Sequence, residues 1–218
     1  MPKCGGTSTR LLFEQQSKRQ VLLDYDSHFK YPIEQRMDML LDSLFTPTPV
    51  APGALVFGHF FPIKYLATQQ ASDYKLVTIL RDPLDRLYSH YQFWCQHEFP
   101  DHYLWRQMRA LNWSFRDFAL SQEMKNFYSQ YLFQVPLRAF QYIGLFEDFE
   151  HSIQQCMEAL DLGPVNLDRL STENTTHYPS LHESISTEDR ELICDWHAED
   201  YLIYRYVKQV YKSPIDWT

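Results

Sequence analysis

The chain has no apolar run approaching the roughly 20 residues needed to cross a bilayer, so no transmembrane segment is expected. Internal repeats, low-complexity tracts and long linkers are also missing, which predicts one domain over residues 1–218. Cysteine is scarce and scattered. Cys4, Cys95, Cys156 and Cys194 show no paired metal spacing, so no metal site is expected and the thiols read as reduced and mostly buried. Cations are outnumbered: 20 Lys and Arg face 28 Asp and Glu, and the formal charge is −8. That balance argues against nucleic-acid binding and against a broad polyanion surface, although a local basic cleft is compatible with it. The chain opens without a signal-peptide pattern, and a soluble cytoplasmic protein is the simplest expectation.

What is present suffices for a sizeable core: 44% of the residues are hydrophobic and 16% aromatic. Short apolar runs alternate with helical patterns. A helix is expected to about Gln20, capped by Thr7 or Ser8, and then a strand at Val21-Leu22-Leu23. Glu34 to Phe45 carries Met37, Leu40, Leu41 and Leu44 at helical spacing. Strands are expected at Ala54 to Phe57, Lys75 to Leu80 and Tyr142 to Leu145. Helices are expected near Ile63 to Ala71, Leu84 to Cys95, within 101–133, at Glu147 to Leu160, and as one long helix over Glu188 to Val210. This is βαβ grammar. It predicts an α/β fold with a mostly parallel central sheet flanked by helices, and ligands outside the carboxyl ends of the strands.

Two segments carry the chemistry. Lys3-Cys4-Gly5-Gly6-Thr7-Ser8 places a glycine pair before hydroxyl residues at the start of a helix, so backbone N–H groups can approach an oxyanion closely. In a Walker A loop the Lys follows the second Gly. Here Lys3 precedes both, which disfavours an ordinary ATP or GTP site. The second segment is Arg81-Asp82-Pro83-Leu84-Asp85-Arg86-Leu87-Tyr88-Ser89-His90-Tyr91. Arg81 follows an apolar strand, where its guanidinium can fork onto phosphate, and Asp82-Pro83 starts a helix that carries Ser89 about two turns in. Arg86 either joins that anion socket or pairs with Asp82 or Asp85. Cys4, at a helix start beside Lys3, is expected to have a lowered thiol pKa, although it reads as a loop filler and an oxidation site rather than a nucleophile. His59 follows Gly58 at the end of a strand, on the same sheet edge as both anion loops, and its unperturbed pKa of about 6.5 suits a base.

Pro2 to Ser8 and Arg81 to Tyr91 resemble the two nucleotide motifs of the sulfotransferases, in the form used by the carbohydrate branch that includes the heparan sulfate 2-O- and 6-O-sulfotransferases. Weaker resemblance runs through Tyr142 to Phe149 and the Asn174-to-Tyr204 tail. It implies the P-loop-like sulfotransferase fold and 3′-phosphoadenosine 5′-phosphosulfate (PAPS) as sulfuryl donor. In this likeness Lys3 covers the leaving bridge oxygen, while Cys4, Gly5, Gly6, Thr7 and Ser8 form the 5′-phosphate loop. Arg81 and Ser89 take the 3′-phosphate, and Asn174 to Pro179 folds over the nucleotide. His59 matches the second His of a His-Gly-His segment assigned as base in the 2-O-sulfotransferases, while the first is replaced by Phe57. The transfer itself needs no metal. The implied partner is a hydroxyl-bearing acceptor, a glycan or small molecule, and the charge balance favours a neutral one. One departure stands out: the family loop follows a strand, whereas only Met1 and Pro2 precede Lys3. Other readings stay open: a nucleotide-binding module without catalysis, an atypical small-molecule kinase using Asp24 or Asp26, and, for location, the lumenal domain of a Golgi enzyme trimmed of its anchor. Oligomeric state is not legible.

Overall fold

The computed structural model describes residues 1–25, 30–46, 49–67, 73–164, 166 and 185–211. It is an α/β fold in which every strand pairing is parallel and helices flank the strands. Strand β1 (Val21–Asp24) pairs with β2 (Leu55–Gly58) from Val21↔Leu55 to Asp24↔Gly58. Strand β3 (Leu76–Leu80) pairs with β4 (Phe140–Leu145), with an irregularity between Leu76 and Val77. These are two two-stranded sheets rather than one continuous sheet. Residues of β2 and β3 line a common cavity of about 460 Å³, together with Met1, Cys4 and Phe13. Among the described residues no strand lies between β2 and β3.

Helix α1 (Gly6–Gln16) opens on Gly5 in the left-handed region, φ 78°. Thr7 and Ser8 lie within its first turn and do not cap it; instead Thr9 Oγ1 donates to the Gly5 carbonyl at 3.0 Å. The helix ends at Gln16 rather than Gln20, because Ser17 is extended. Helices α2 (Ile33–Phe45) and α3 (Ile63–Leu66) precede and follow β2 in the chain and pack on one another, and residues 68–72 of the longer helix expected there lie outside the described residues. Helix α4 (Pro83–Gln96) starts as its sequence dictates. Asp82 accepts from the backbone N–H groups of Leu84 and Asp85, and Pro83 occupies the first turn, where a missing N–H does no harm. Its inner face buries Leu84, Leu87, Tyr88 and Trp94.

The 101–133 region breaks into α5 (Tyr103–Ala110), α6 (Phe115–Ala119) and α7 (Phe127–Tyr131), and α6 is opened by a Ser114/Asp117 capping box. Helix α8 (Phe149–Ala159) packs on β4 through Gly144, where a Cβ would stand 2.6 Å from that of Ser152. Ser152 Oγ in turn bridges the Leu145 N–H and carbonyl, both at 2.8 Å. The single terminal helix expected from the sequence is two, α9 (Thr187–Trp196) and α10 (Ala198–Tyr211). The chain breaks at His197, whose fully buried ring accepts from Asn126 N–H at Nδ1 and donates from Nε2 to the Ala119 carbonyl at 2.8 Å. Among the described residues no helix is long and apolar enough to cross a membrane.

Candidate functional site

The parallel strands run toward one edge, and the chemistry gathers there. The loop before α1 combines two left-handed residues, Lys3 at φ 61° and Gly5 at φ 78°. Left-handed geometry is costly for a residue with a Cβ, so Lys3 is a strained position of the kind that clusters in functional loops. At Gly5 any side chain is also blocked by neighbours: a Cβ would stand 2.3 Å from the Phe149 ring. Beyond it, α1 starts without a side-chain cap, so its first N–H groups have no side-chain acceptor at the cap position, an arrangement able to receive an anion.

His59 closes the site from β2. Its N–H donates to the Asp24 carbonyl at 2.9 Å, which locks the strand end, and its ring sits edge-on to Tyr25 with centroids 5.1 Å apart. Gly58 is required at this crossing, since a Cβ there would stand 1.6 Å from the Asp24 carbonyl oxygen. The imidazole lies against the loop before α1: a Cβ on Gly6 would stand 3.9 Å from His59 Nε2. Burial, followed by the positive charges of the Met1 amine and Lys3, pushes the His59 pKa down to about 3. Lys3 itself is pushed down to about 8, by burial first and then by the Arg81 charge. Its Nζ lies 3.9 Å from the centroid of the Phe93 ring.

Arg81 leaves the end of β3 with its backbone pinned on both sides by Tyr128. The Tyr128 hydroxyl donates to the Arg81 carbonyl at 2.6 Å and accepts from its N–H at 3.0 Å. The guanidinium lies over the Phe146 ring, 4.7 Å from its centroid. Ser89 is buried on α4. Lys3, Gly5, Gly6 and His59 are thus gathered on one side, and Arg81 is near enough for its charge to act on Lys3.

Several expectations are corrected. Cys4 is buried, its thiol 3.5 Å from the Pro2 carbonyl and 3.9 Å from the Tyr128 hydroxyl, and burial raises its pKa instead of lowering it. It is a packing residue of the loop, inaccessible to oxidants. Arg86 takes neither of its expected roles. Fully buried, it rests on the Phe127 ring at 4.2 Å, and its three nitrogens make no hydrogen bond among the described residues. The kinase candidate Asp24 is already engaged, by Lys64 Nζ at 2.8 Å and the Tyr65 hydroxyl at 2.6 Å, and Asp26 lies outside the described residues. Tyr88 and Trp94 are buried in the core. The Asn174-to-Pro179 segment also lies outside the described residues. Sequence reasoning missed Tyr128 and the contact of Phe93 with Lys3 and of Phe149 with Gly5. Only Phe93 carried a usable signal, as it lies four residues after Ser89 and so on the same helix face.

Comparison with known proteins follows the geometry. A family model described as the sulfotransferase domain matches residues 1–200. No curated protein matches. Among solved structures the chain is similar to a sulfotransferase from Alicyclobacillus acidocaldarius, at 18% identity and a TM-score of 0.46, covering 94% of this chain and 92% of that one.

Proposed function

From the premise that this chain belongs to the sulfotransferase family, and is therefore a transferase of sulfuryl groups, we propose that its donor is PAPS and its acceptor a hydroxyl on a neutral glycan or small alcohol. The observation that carries this reading is the approach of His59 Nε2 to the loop, at 3.9 Å from a Cβ on Gly6. It sets a proton acceptor beside an anion cradle. The residues fit the donor. Gly5 and Gly6 keep the loop free of side chains, the first turn of α1 offers N–H groups, and Lys3 and Arg81 supply charge at the same rim.

When bound, the donor supplies an activated sulfuryl group. Lys3 meets the negative charge that develops on the leaving phosphate oxygen, and the N–H groups of Gly6 and Thr7 hold the rest of that phosphate. His59 takes the acceptor hydroxyl proton as the new O–S bond forms and the old S–O bond breaks, its electron pair staying with the phosphate. Arg81 and Ser89 hold the 3′-phosphate and so set the donor's register. The low pKa of His59 belongs to the protein without anions. Burial is its largest cause, followed by the charges of the Met1 amine and Lys3; the negative charge of a bound donor opposes those two charges and so moves the imidazole back toward basicity.

The test has two arms. Adenosine 3′,5′-bisphosphate at 100 times its Kd stabilises the fold by about 2.7 kcal/mol, roughly a 5–10 °C rise in melting temperature, while ATP and AMP shift it much less. Labelled PAPS is then offered with heparan-type polymer, neutral glycans and small alcohols from low to moderate salt. Equal shifts with ATP overturn the donor assignment, and selective, salt-suppressed labelling of the polymer overturns the neutral acceptor. Bisphosphate binding without transfer to any acceptor marks a nucleotide-binding module.

A further inference from the structure

Phe93 is half-buried on α4 at the margin of the core, with the His97 ring 4.3 Å away at 31° and the Phe99 ring 5.5 Å away, and its backbone carbonyl lies 2.9 Å from His97 Nδ1. Lys3 Nζ stands over the Phe93 ring at 3.9 Å, and among the described residues Lys3 forms no ion pair with a carboxylate. An ammonium over an aromatic face is attracted by the ring quadrupole, most strongly where water is partly excluded. Helix α4 begins directly after Arg81-Asp82 and presents Ser89 and Phe93 one turn apart.

We propose that Phe93 is a positioning residue for the transfer: its ring seats the Lys3 ammonium in charged form at the rim of the phosphate loop, and so couples the helix carrying Ser89 to the cation serving the leaving group. The importance of that cation rests on the sulfotransfer reading above. The seat itself is a property of the free protein and is measured there. It matters because the other charged or titratable neighbours do little to hold Lys3 protonated. Arg81 at the end of β3 lowers its pKa, Cys4 alone raises it, and the Met1 amine, His59 beyond β2 and His90 on α4 stand nearby as cations or neutral bases.

The experiment is the pH dependence of Lys3 acylation by an amine reagent, read by mass spectrometry on the full chain, beside the pH profile of kcat/KM. The parent's Lys3 midpoint lies near pH 8. Phe93→Leu keeps bulk but removes the quadrupole, and its midpoint moves down by about half a unit to one unit, with kcat falling about threefold to tenfold and bisphosphate affinity nearly unchanged. Phe93→Tyr keeps a ring face and restores both. A Leu midpoint equal to the parent's, or a Tyr variant that follows Leu, overturns the seat. If Phe93→Leu does not fold, the seat stands or falls on Phe93→Tyr: retention of the parent midpoint and rate supports it, and displacement of both overturns it. A shifted midpoint without any sulfuryl transfer in the parent retains the seat and removes only its catalytic purpose.

Discussion

Replacing Gly5 with Ala tests the loop and its support together. Two penalties combine. Gly5 sits at φ 78°, where an L side chain costs about 1–2 kcal/mol. The new methyl would also lie 2.3 Å from Phe149 Cε2 and 2.7 Å from Cζ, so the ring must swing away. Because these are outer atoms of a half-buried side chain, the swing is feasible and its cost is the lost aromatic contact with Phe146, now at 5.5 Å, about 0.5–1.5 kcal/mol. The sum is roughly 2–3 kcal/mol, or a melting temperature lower by about 4–12 °C for a chain of this size. Gly53→Ala is the internal control. Gly53 has the same φ of 78° and nothing within 4 Å of its Cβ, so only the backbone penalty applies, about 1–2 kcal/mol. Urea unfolding of the two variants and of Phe149→Ala/Gly5→Ala measures the difference. Equal losses at Gly5 and Gly53, or no relief of Gly5→Ala by Phe149→Ala, would refute the claim that Phe149 braces the phosphate loop.

The remaining predictions concern chemistry and pH. His59→Ala lowers turnover by a factor on the order of 10² to 10⁴ while bisphosphate affinity stays nearly intact, whereas Arg81→Ala or Ser89→Ala weakens the nucleotide first; unchanged turnover in the His59 variant removes it from the reaction. Stability falls in mild acid. His59, His102 and His197 are held near 3, 4 and 4, below the ordinary 6.5, so each is neutral when folded but protonates on unfolding as pH drops below 6.5, and the loss continues until the folded values are reached. Asp200, pushed up to about 7 by burial, and Asp82, also raised by burial, act in the opposite sense, but they are two carboxyls against four histidines, because burial lowers His90 as well. A urea midpoint that is flat from pH 6.5 to 4.5 contradicts this balance.

The strands were legible because each is a short aliphatic run with a turn signal after it. β3 and β4 appear within a residue or two of their expected ends, and Asp82-Pro83 announces α4 because capping and proline geometry are local. What the sequence hid is long-range. His197 divides the terminal helix through partners 71 and 78 residues away, Asn126 and Ala119, which no periodicity reveals. Arg86 has a motif position that suggests a phosphate, yet tertiary packing buries it on Phe127. Cys4 follows the local rule for a helix start until Tyr128 and the core cover it, after which desolvation outweighs nearby positive charge. The candidate residues Lys3, Gly6 and His59 converge in space because β2 and α1 meet at one edge.

The electrostatics of this rim point to its occupant. In a chain of net charge −8, burial first and then neighbouring positive charge lower the pKa of both Lys3, beside Arg81, and His59, beside Lys3. Like charges gathered in a partly desolvated place are unfavourable in the free protein, and an arriving anion relieves that repulsion while gaining hydrogen bonds. The cavity beside His59 is lined by Phe57, Phe60, Pro62, Tyr65 and Tyr74 together with Arg19, Asp73, Lys75 and Asp161, so aromatic faces and charges of both signs share one space.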